Sequence, residues 1–449
     1  MLQEQTAKVL DQAGDFATTS VQKEARKGLW SMLLINAGYT MNLSVVMRGG
    51  VLAAMLPLNQ MFMVLAISAL IQAAIAIPIG ALGAKYGLST PMLAREAYGR
   101  YGSWLVALTL ALSLGVFWFG WQVALFADTI GTIFPGSLLT SRVVVCIWGG
   151  AMMTLTAALG FKAMGVLSFI AVPMMVTFLG YGAISGLAQA NLTLGELFSM
   201  VPPSQGTISE GVTLVVGGLA AGCIGMADIT RYAESPLQAG ISGTVGYLGG
   251  AGSCLCAGAF IIIAAERLLG YSTSSLVESF ASLGLGIGGF TMLILAQWTT
   301  NDNNLYSGAL GLTSMFKIRR ILASIIMGTV GIVIAIAGVQ DYFVPFSIML
   351  GKLVPPMGGV ILSHYYFIRP LMKGRLGSAL PETVSGVNII ALFSSILASI
   401  VAHLWVTAVP PPVVGILCAL ITNVSLTVIF ERLGIKYTWG EYARKDLEY

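Results

Sequence analysis

An all-α membrane protein with twelve transmembrane helices is predicted by three features of the sequence. They are an apolar content too high for a soluble surface, a regular succession of spanning-length apolar segments, and a one-sided placement of basic residues. Of the 449 residues, 56% belong to the set Ala, Val, Ile, Leu, Met, Phe, Trp, Tyr and Cys, and 9% are charged. The mean hydropathy is +0.85. A soluble domain carries about 25% charged residues, so this chain cannot cover itself with polar groups in water.

A spanning helix needs about 20 predominantly apolar residues. Twelve stretches qualify, numbered here as segments 1 to 12: 29–47, 57–82, 103–128, 143–160, 165–188, 211–230, 240–265, 283–312, 319–338, 343–366, 386–408 and 411–431. The connections are short and carry turn signals such as "FPGS" and "VPPSQG", which leaves no room for a separate soluble domain. The first 28 residues lack an apolar run typical of a cleaved signal peptide and are expected to form a cytosolic tail, as are residues 432–449.

Charge placement supports the count. With the N-terminus inside, 19 of the 23 basic residues fall in cytoplasmic connections; Arg48, Arg142, Arg267 and Lys352 are the exceptions. Such a positive-inside bias predicts a multi-pass protein of the cell membrane with both termini cytoplasmic. No Lys/Arg cluster exceeds "KIRR" at 317–320, which argues against a nucleic-acid partner. The five cysteines lie in apolar runs without a His cluster, so they read as small buried residues rather than a zinc site.

Segments 1 and 6 are rich in polar and Gly positions. Segment 1 reads "LLINAGYTMNLSVVMRGG" and segment 6 "VVGGLAAGCIGMADITRY". Glycine costs about 1 kcal/mol in a helix interior. It often serves only close helix packing, but two Gly-interrupted segments five apart also fit paired broken helices, whose unwound backbone reaches a solute near the midplane.

Segment 8 carries "LAQWTTNDNNLYSG" through its middle. Hydrocarbon penalises each unpaired polar group by several kcal/mol, or about 4–8 on a cyclohexane scale. Gln297, Thr300, Asn301 and Asn304 follow i, i+3, i+4, i+7 and share a face. They fit either helix-to-helix glue or a site. The adjacent hydroxyls of Thr299 and Thr300 suit a hard cation, and sodium fits better than a transition metal because no His or Cys ligand is near. In segment 3, Trp118 and Gln122 are four apart and stack on one face; an indole beside an amide suits a flat heterocycle.

These residues carry a family resemblance. "WTTNDNNLYSGALG", "ARKG" before segment 1, "GAKYGLSTPMLAREAYGRYGS" between segments 2 and 3, "ADITRY" ending segment 6 and "PPMGG" in segment 10 resemble nucleobase:cation symporter family 1, which includes cytosine permeases and hydantoin, allantoin and purine transporters. The resemblance implies a five-plus-five inverted-repeat core over 29–366, with broken helices 1 and 6, followed by two additional helices over 386–431. It implies a sodium site built from carbonyls near Gly38, Met41 and Ala296 with the hydroxyls of Thr299 and Thr300. It also implies a substrate site in which Trp118 stacks on the ring and Asn301 hydrogen-bonds it. Gln122, Asn42 and the backbone around Leu219, Ala221 and Gly222 would complete that site.

Two departures bear on the substrate. Leu219 stands where cytosine permeases place an aromatic residue, and Gly115 stands where they carry a Gln; the amide here is Gln122, as in hydantoin transporters. Lys352 lies about 13 Å into segment 10 at 1.5 Å per residue. It is a candidate substrate ligand or a partner for Asp302, unless it snorkels. Arg48 closes segment 1 and reads as an interfacial, snorkelling cation. The expected function is sodium-coupled import of a planar heterocycle by alternating access. A proton-coupled or uncoupled carrier using Lys352 is the rival, with a membrane-embedded enzyme or a channel further off. The oligomeric state stays open, a monomer included.

Overall fold

The computed structural model describes residues 16–273, 275–316, 318–372, 386–405 and 407–439. Every apolar segment is helical. Segment 1 consists of Leu29–Thr40 and Leu43–Met55, bent by 47°. The others are Leu58–Tyr86, Trp104–Ile133, Arg142–Ala158, Phe161–Gln189, Ile208–Thr230, Pro236–Leu269, Gly286–Phe316, Arg320–Ile336, Val339–Leu371, Ile389–Leu404 and Pro411–Leu433. Seven of these are single helices long and apolar enough to cross a membrane, and segment 1 qualifies as a bent pair. Segments 8 and 9 meet at a 117° turn, while segments 4 and 11 are shorter.

The helix contacts repeat with a shift of five. Segment 1 packs on segments 5 and 7, and segment 6 packs on segments 10 and 2. Likewise segment 3 contacts segment 9, and segment 8 contacts segment 4. Exchanging segments 1–5 with 6–10 maps these contacts onto themselves, as two inverted repeats require. The most apolar stretch of segment 6 is entirely buried, whereas segment 12 exposes most of its own. Segment 6 is thus central and segment 12 peripheral.

Close approach at the centre depends on missing side chains. A Cβ on Gly258 of segment 7 would lie 1.9 Å from the Val46 carbonyl oxygen of segment 1. Small residues let membrane helices approach in this way where no hydrophobic effect drives them together.

The described part of the N-terminal tail folds back onto helix ends. The amide of Val21 donates to the Gly87 carbonyl at 2.9 Å, and that of Lys27 donates to the Tyr232 carbonyl at 2.6 Å. Phe16 is buried. Residues 1–15 and 440–449 lie outside the described residues. At the other end of the chain, Val387–Asn388 pairs antiparallel with Thr438–Trp439.

The packing argument predicts that Gly258→Ala destabilises the protein by about 1–3 kcal/mol, as overpacking does. Gly249→Ala, where no atom lies within 4 Å, should leave stability unchanged or slightly raised. Thermal melting of the two purified variants checks this; equal midpoints would contradict it.

Candidate functional site

The bend in segment 1 frees backbone oxygens inside the protein. Met41 (φ −80°, ψ 97°) and Asn42 (φ −147°, ψ 162°) are both extended. The Asn42 side chain caps the second half by accepting from the Val45 amide at 3.0 Å, and its amide group donates to the Tyr39 carbonyl at 2.9 Å. Among the described residues, the carbonyls of Gly38, Thr40 and Met41 accept no hydrogen bond. Buried carbonyls are normally paired, so three together need an explanation.

Segment 8 meets this bend. A Cβ on Gly38 would lie 2.9 Å from Thr299 Cγ2 and 2.8 Å from the hydroxyl of Ser168 in segment 5. The Thr299 hydroxyl donates to the Leu295 carbonyl at 2.8 Å, and the Thr300 hydroxyl donates to the Ala296 carbonyl at 3.0 Å. With their protons spent on their own helix, both hydroxyls keep oxygen lone pairs for another partner. Ser168 is fully buried, and its hydroxyl has no partner.

The remaining polar groups of segment 8 divide by direction. The Gln297 amide donates to the Thr129 hydroxyl of segment 3 at 3.2 Å. The Asn301 amide donates to the Phe119 carbonyl at 3.1 Å and meets the Met153 sulfur of segment 4 at 3.2 Å. Asp302 accepts from the Thr156 hydroxyl of segment 4 at 2.6 Å. These three tie segment 8 to its neighbours. The side chain of Asn304, by contrast, makes no hydrogen bond with a described residue and stays 4% exposed.

Segment 6 breaks later than expected. Its helix runs to Ile224 and is interrupted at Gly225 (φ −75°, ψ 1°) before Met226–Thr230. The freed Ile224 carbonyl accepts from the Thr90 hydroxyl at 2.7 Å, and Asp228 accepts from the Thr90 amide at 2.8 Å. The loop between segments 2 and 3 therefore seals this break. Gly222 meets segment 1 instead of open space: a Cβ there would lie 2.3 Å from the Tyr39 hydroxyl.

Segment 3 widens into a π-helical stretch over Ala111–Trp118, a distortion often found at functional sites. Its last residue is Trp118, whose indole N–H is buried without a partner. Phe117, Trp121, Phe343 and Phe346 pack edge-on around it, with centroids 5.3–6.2 Å away. The buried acceptors without donors include Gln122 Oε1, Gln297 Oε1 and Asn301 Oδ1. Arg48 enters the same cluster with its Cζ 5.6 Å from the Trp118 ring centre and 5.8 Å from that of Phe343.

Comparison with known proteins decides the family. A family model described as permease for cytosine/purines, uracil, thiamine and allantoin matches residues 20–422. The cytosine permease of Escherichia coli (strain K12) is 30% identical over 406 residues, covering 90% of this chain and 92% of that protein. The chain belongs to this permease family. It is a membrane transporter and not an enzyme. A hydantoin permease of Microbacterium maritypicum is 27% identical over 308 residues, covering 64% of this chain and 62% of that one. The solved structure of Mhp1, a nucleobase-cation-symport-1 family transporter in a closed conformation with bromovinylhydantoin bound, has the same fold. Its TM-score is 0.76 at 21% identity, with 92% of this chain and 95% of Mhp1 covered.

The permease gathers some of the expected residues and separates others. Gly38 and Thr299 touch where segments 1 and 8 meet; Met41 lies at the bend, and Ala296 and Thr300 lie beside Thr299 on segment 8. Trp118 and Gln122 are buried in segment 3, with Leu219 and Ala221 buried in segment 6. Asn42 is spent on capping its own helix, Gly222 is filled by Tyr39, and Asn301 gives its donor to segments 3 and 4. Lys352 lies apart from the Trp118 cluster. It lines a cleft of about 430 Å³ with Leu353 and His403, and another of about 780 Å³ with Gln60, Glu210 and Trp405. It forms no pair with Asp302, whose partner is Thr156. Arg48 is not interfacial: it is 0% exposed.

Ser168, Tyr39, Phe343 and Phe346 are not singled out by the sequence, and Asn304 is given no role of its own there. Asn304 was visible on the polar stripe. The other four are ordinary residues whose importance comes only from tertiary proximity.

The division of segment 8 predicts opposite outcomes for two amides. Asn301→Ala removes a buried hydrogen bond to the Phe119 carbonyl and should lower stability by about 0.5–1.5 kcal/mol. Asn304→Ala should stay within about 0.5 kcal/mol of the parent. Melting of the purified variants checks this, and a reversed order would contradict it.

Proposed function

We infer that this permease is a sodium-coupled symporter that imports a planar nucleobase-like heterocycle by alternating access. One observation carries the sodium reading: the unpaired carbonyls of Gly38 and Met41 lie at a bend packed against Thr299. Two free carbonyls and two hydroxyl oxygens would make a donor set for a hard cation, with the Ala296 carbonyl, which accepts from the Thr300 hydroxyl, as a further oxygen beside them. No group of three or more His, Cys, Asp or Glu side chains competes for a metal among the described residues. A monovalent ion suits such a neutral set, because it leaves a smaller net charge buried in the membrane.

The heterocycle reading rests on the family and on Trp118 and Gln122. The ring supplies a stacking face, and the amide supplies a free acceptor. Family relatives are named as permeases for cytosine and hydantoin, both compact nitrogen heterocycles. Residues 29–366 would form the transport core, with 386–431 as additional helices. The positive-inside bias favours a cell-membrane location with both termini in the cytoplasm.

The coupling follows from shared elements. Sodium held by Met41 and Thr300 would fix the bend of segment 1 against segment 8, and the heterocycle would bind between segments 1, 3 and 6. Each ligand would then favour the conformation that the other needs.

Thermal-shift measurements on purified protein with a heterocycle panel, in sodium and in choline, test this. A ligand that stabilises more strongly in sodium, with the sodium dependence lost in Thr300→Ala and the heterocycle effect lost in Trp118→Ala, is the expected result. Equal stabilisation in choline would overturn sodium coupling. No stabilisation by any heterocycle would overturn the substrate class.

A further inference from the structure

Arg48 is held unlike Arg320 and Arg231, two other buried arginines. Arg320 donates to the carbonyls of Ala157 and Ala158 at the end of segment 4, at 3.0 and 2.9 Å. Arg231 donates to the Phe16 carbonyl at 2.6 Å and the Tyr306 hydroxyl at 2.8 Å, and it lies beside Asp228. Carbonyls at a helix end and a nearby carboxylate are what a buried guanidinium requires.

Arg48 has neither. Its Nη2 donates to the Ser44 hydroxyl at 2.6 Å and, at a longer 3.3 Å, to the Gly218 carbonyl. Its Nε and Nη1 are buried without an acceptor. No Asp or Glu pairs with it among the described residues. The aromatic faces of Trp118 and Phe343 offer partial compensation through cation–π contact. A formal positive charge inside a membrane protein still lacks a counter-charge, and such residues mark solute pathways.

Its surroundings are built to hold it there. A Cβ on Gly218 would lie 2.1 Å from Arg48 Cζ, so segment 6 admits the guanidinium only because that residue is glycine. Ser44 in turn donates to Asn42 Oδ1 at 2.6 Å, and Asn42 caps the bend of segment 1. Arg48 is thus linked by two side chains to the bend that carries the free carbonyls. The neighbouring unpaired group, the Trp118 indole N–H, is also a donor. This corner of the aromatic cluster therefore offers unpaired donors and positive charge.

We propose that Arg48 is a specificity-determining residue that receives an anionic edge of the transported heterocycle beside Trp118, so that the permease prefers ionised heterocycles over neutral ones. The inference rests on the heterocycle reading above and names its substrate class: a planar ring that has lost a ring proton or bears a carboxylate. A guanidinium forms its strongest hydrogen bonds with such groups. The substrate would supply the missing acceptors of Nε and Nη1 together with the missing counter-charge.

The test is isothermal titration of the full-length purified protein at neutral pH and saturating sodium, with two matched pairs. Uracil is compared with orotate, which adds a carboxylate, and hypoxanthine with urate, which is ionised at neutral pH. At least one anion should bind at least about tenfold more tightly than its neutral partner, as a charge-assisted hydrogen bond provides. Arg48→Met should bring the anion-to-neutral affinity ratio down to about one, and Arg48→Lys should retain part of it. Gly218→Ala displaces the guanidinium by another route and should reduce the same preference; it serves if Arg48→Met does not fold. Equal or tighter binding of the neutral partners by the unmodified protein overturns the proposal and leaves the heterocycle reading standing. An anion preference that survives both Arg48→Met and Gly218→Ala does the same. No binding by any of the four overturns the proposal, and the heterocycle reading falls with it only if the wider panel also fails to stabilise the protein.

Discussion

Between Thr40 and Asn42 the backbone of segment 1 leaves the helix in the middle of an apolar protein, and the carbonyls of Gly38, Thr40 and Met41 lose their partners. In water such a bend is cheap, because solvent replaces the missing bonds. In the membrane it persists only if the surrounding protein or a bound solute satisfies the freed groups. Much of the central architecture follows from that requirement. Asn42 caps one side of the bend and Ser44 braces Asn42. Gly38 lets segment 8 approach until Thr299 touches it, and Ser168 closes the contact from segment 5. The oxygens still open are the ones a cation would bind.

The second break is treated differently. At Gly225 the protein itself provides the partners, through the hydroxyl and amide of Thr90 on the helix between segments 2 and 3. The two repeats are alike in helix contacts yet unlike in chemistry. One break leaves carbonyls without partners, and the other is sealed by a loop. This difference explains why "GLSTPML" carries so recognisable a pattern: Thr90 performs two bonds that a membrane interior does not otherwise offer.

Much of this was legible in the sequence, where the physical signal is local. Apolar length located every segment, and the Gly and Asn content of segment 1 pointed to a broken helix, which the structure breaks at Met41 and Asn42. The polar run of segment 8 announced that unusual chemistry sits there, yet spacing alone could not separate glue from site. Gln297 and Asn301 share a face with Thr300 and Asn304, but only the fold shows which of them find partners on segments 3 and 4. Arg48 misled for a related reason. Its place at the end of an apolar run suggests an interface, and nothing local reveals that Gly218, distant in sequence, makes room for it inside. Gly222 misled in the opposite sense, since a glycine that accommodates Tyr39 reads the same as one that bares backbone to a solute.

The central claim is that a cation at the segment 1 bend and a heterocycle beside Trp118 stabilise one arrangement. The most direct test is to titrate sodium into the purified protein with and without saturating heterocycle, then titrate the heterocycle with and without sodium. Linkage requires the two enhancement factors to be equal, and the account predicts that both exceed one. Sodium affinity unaffected by the heterocycle would contradict it.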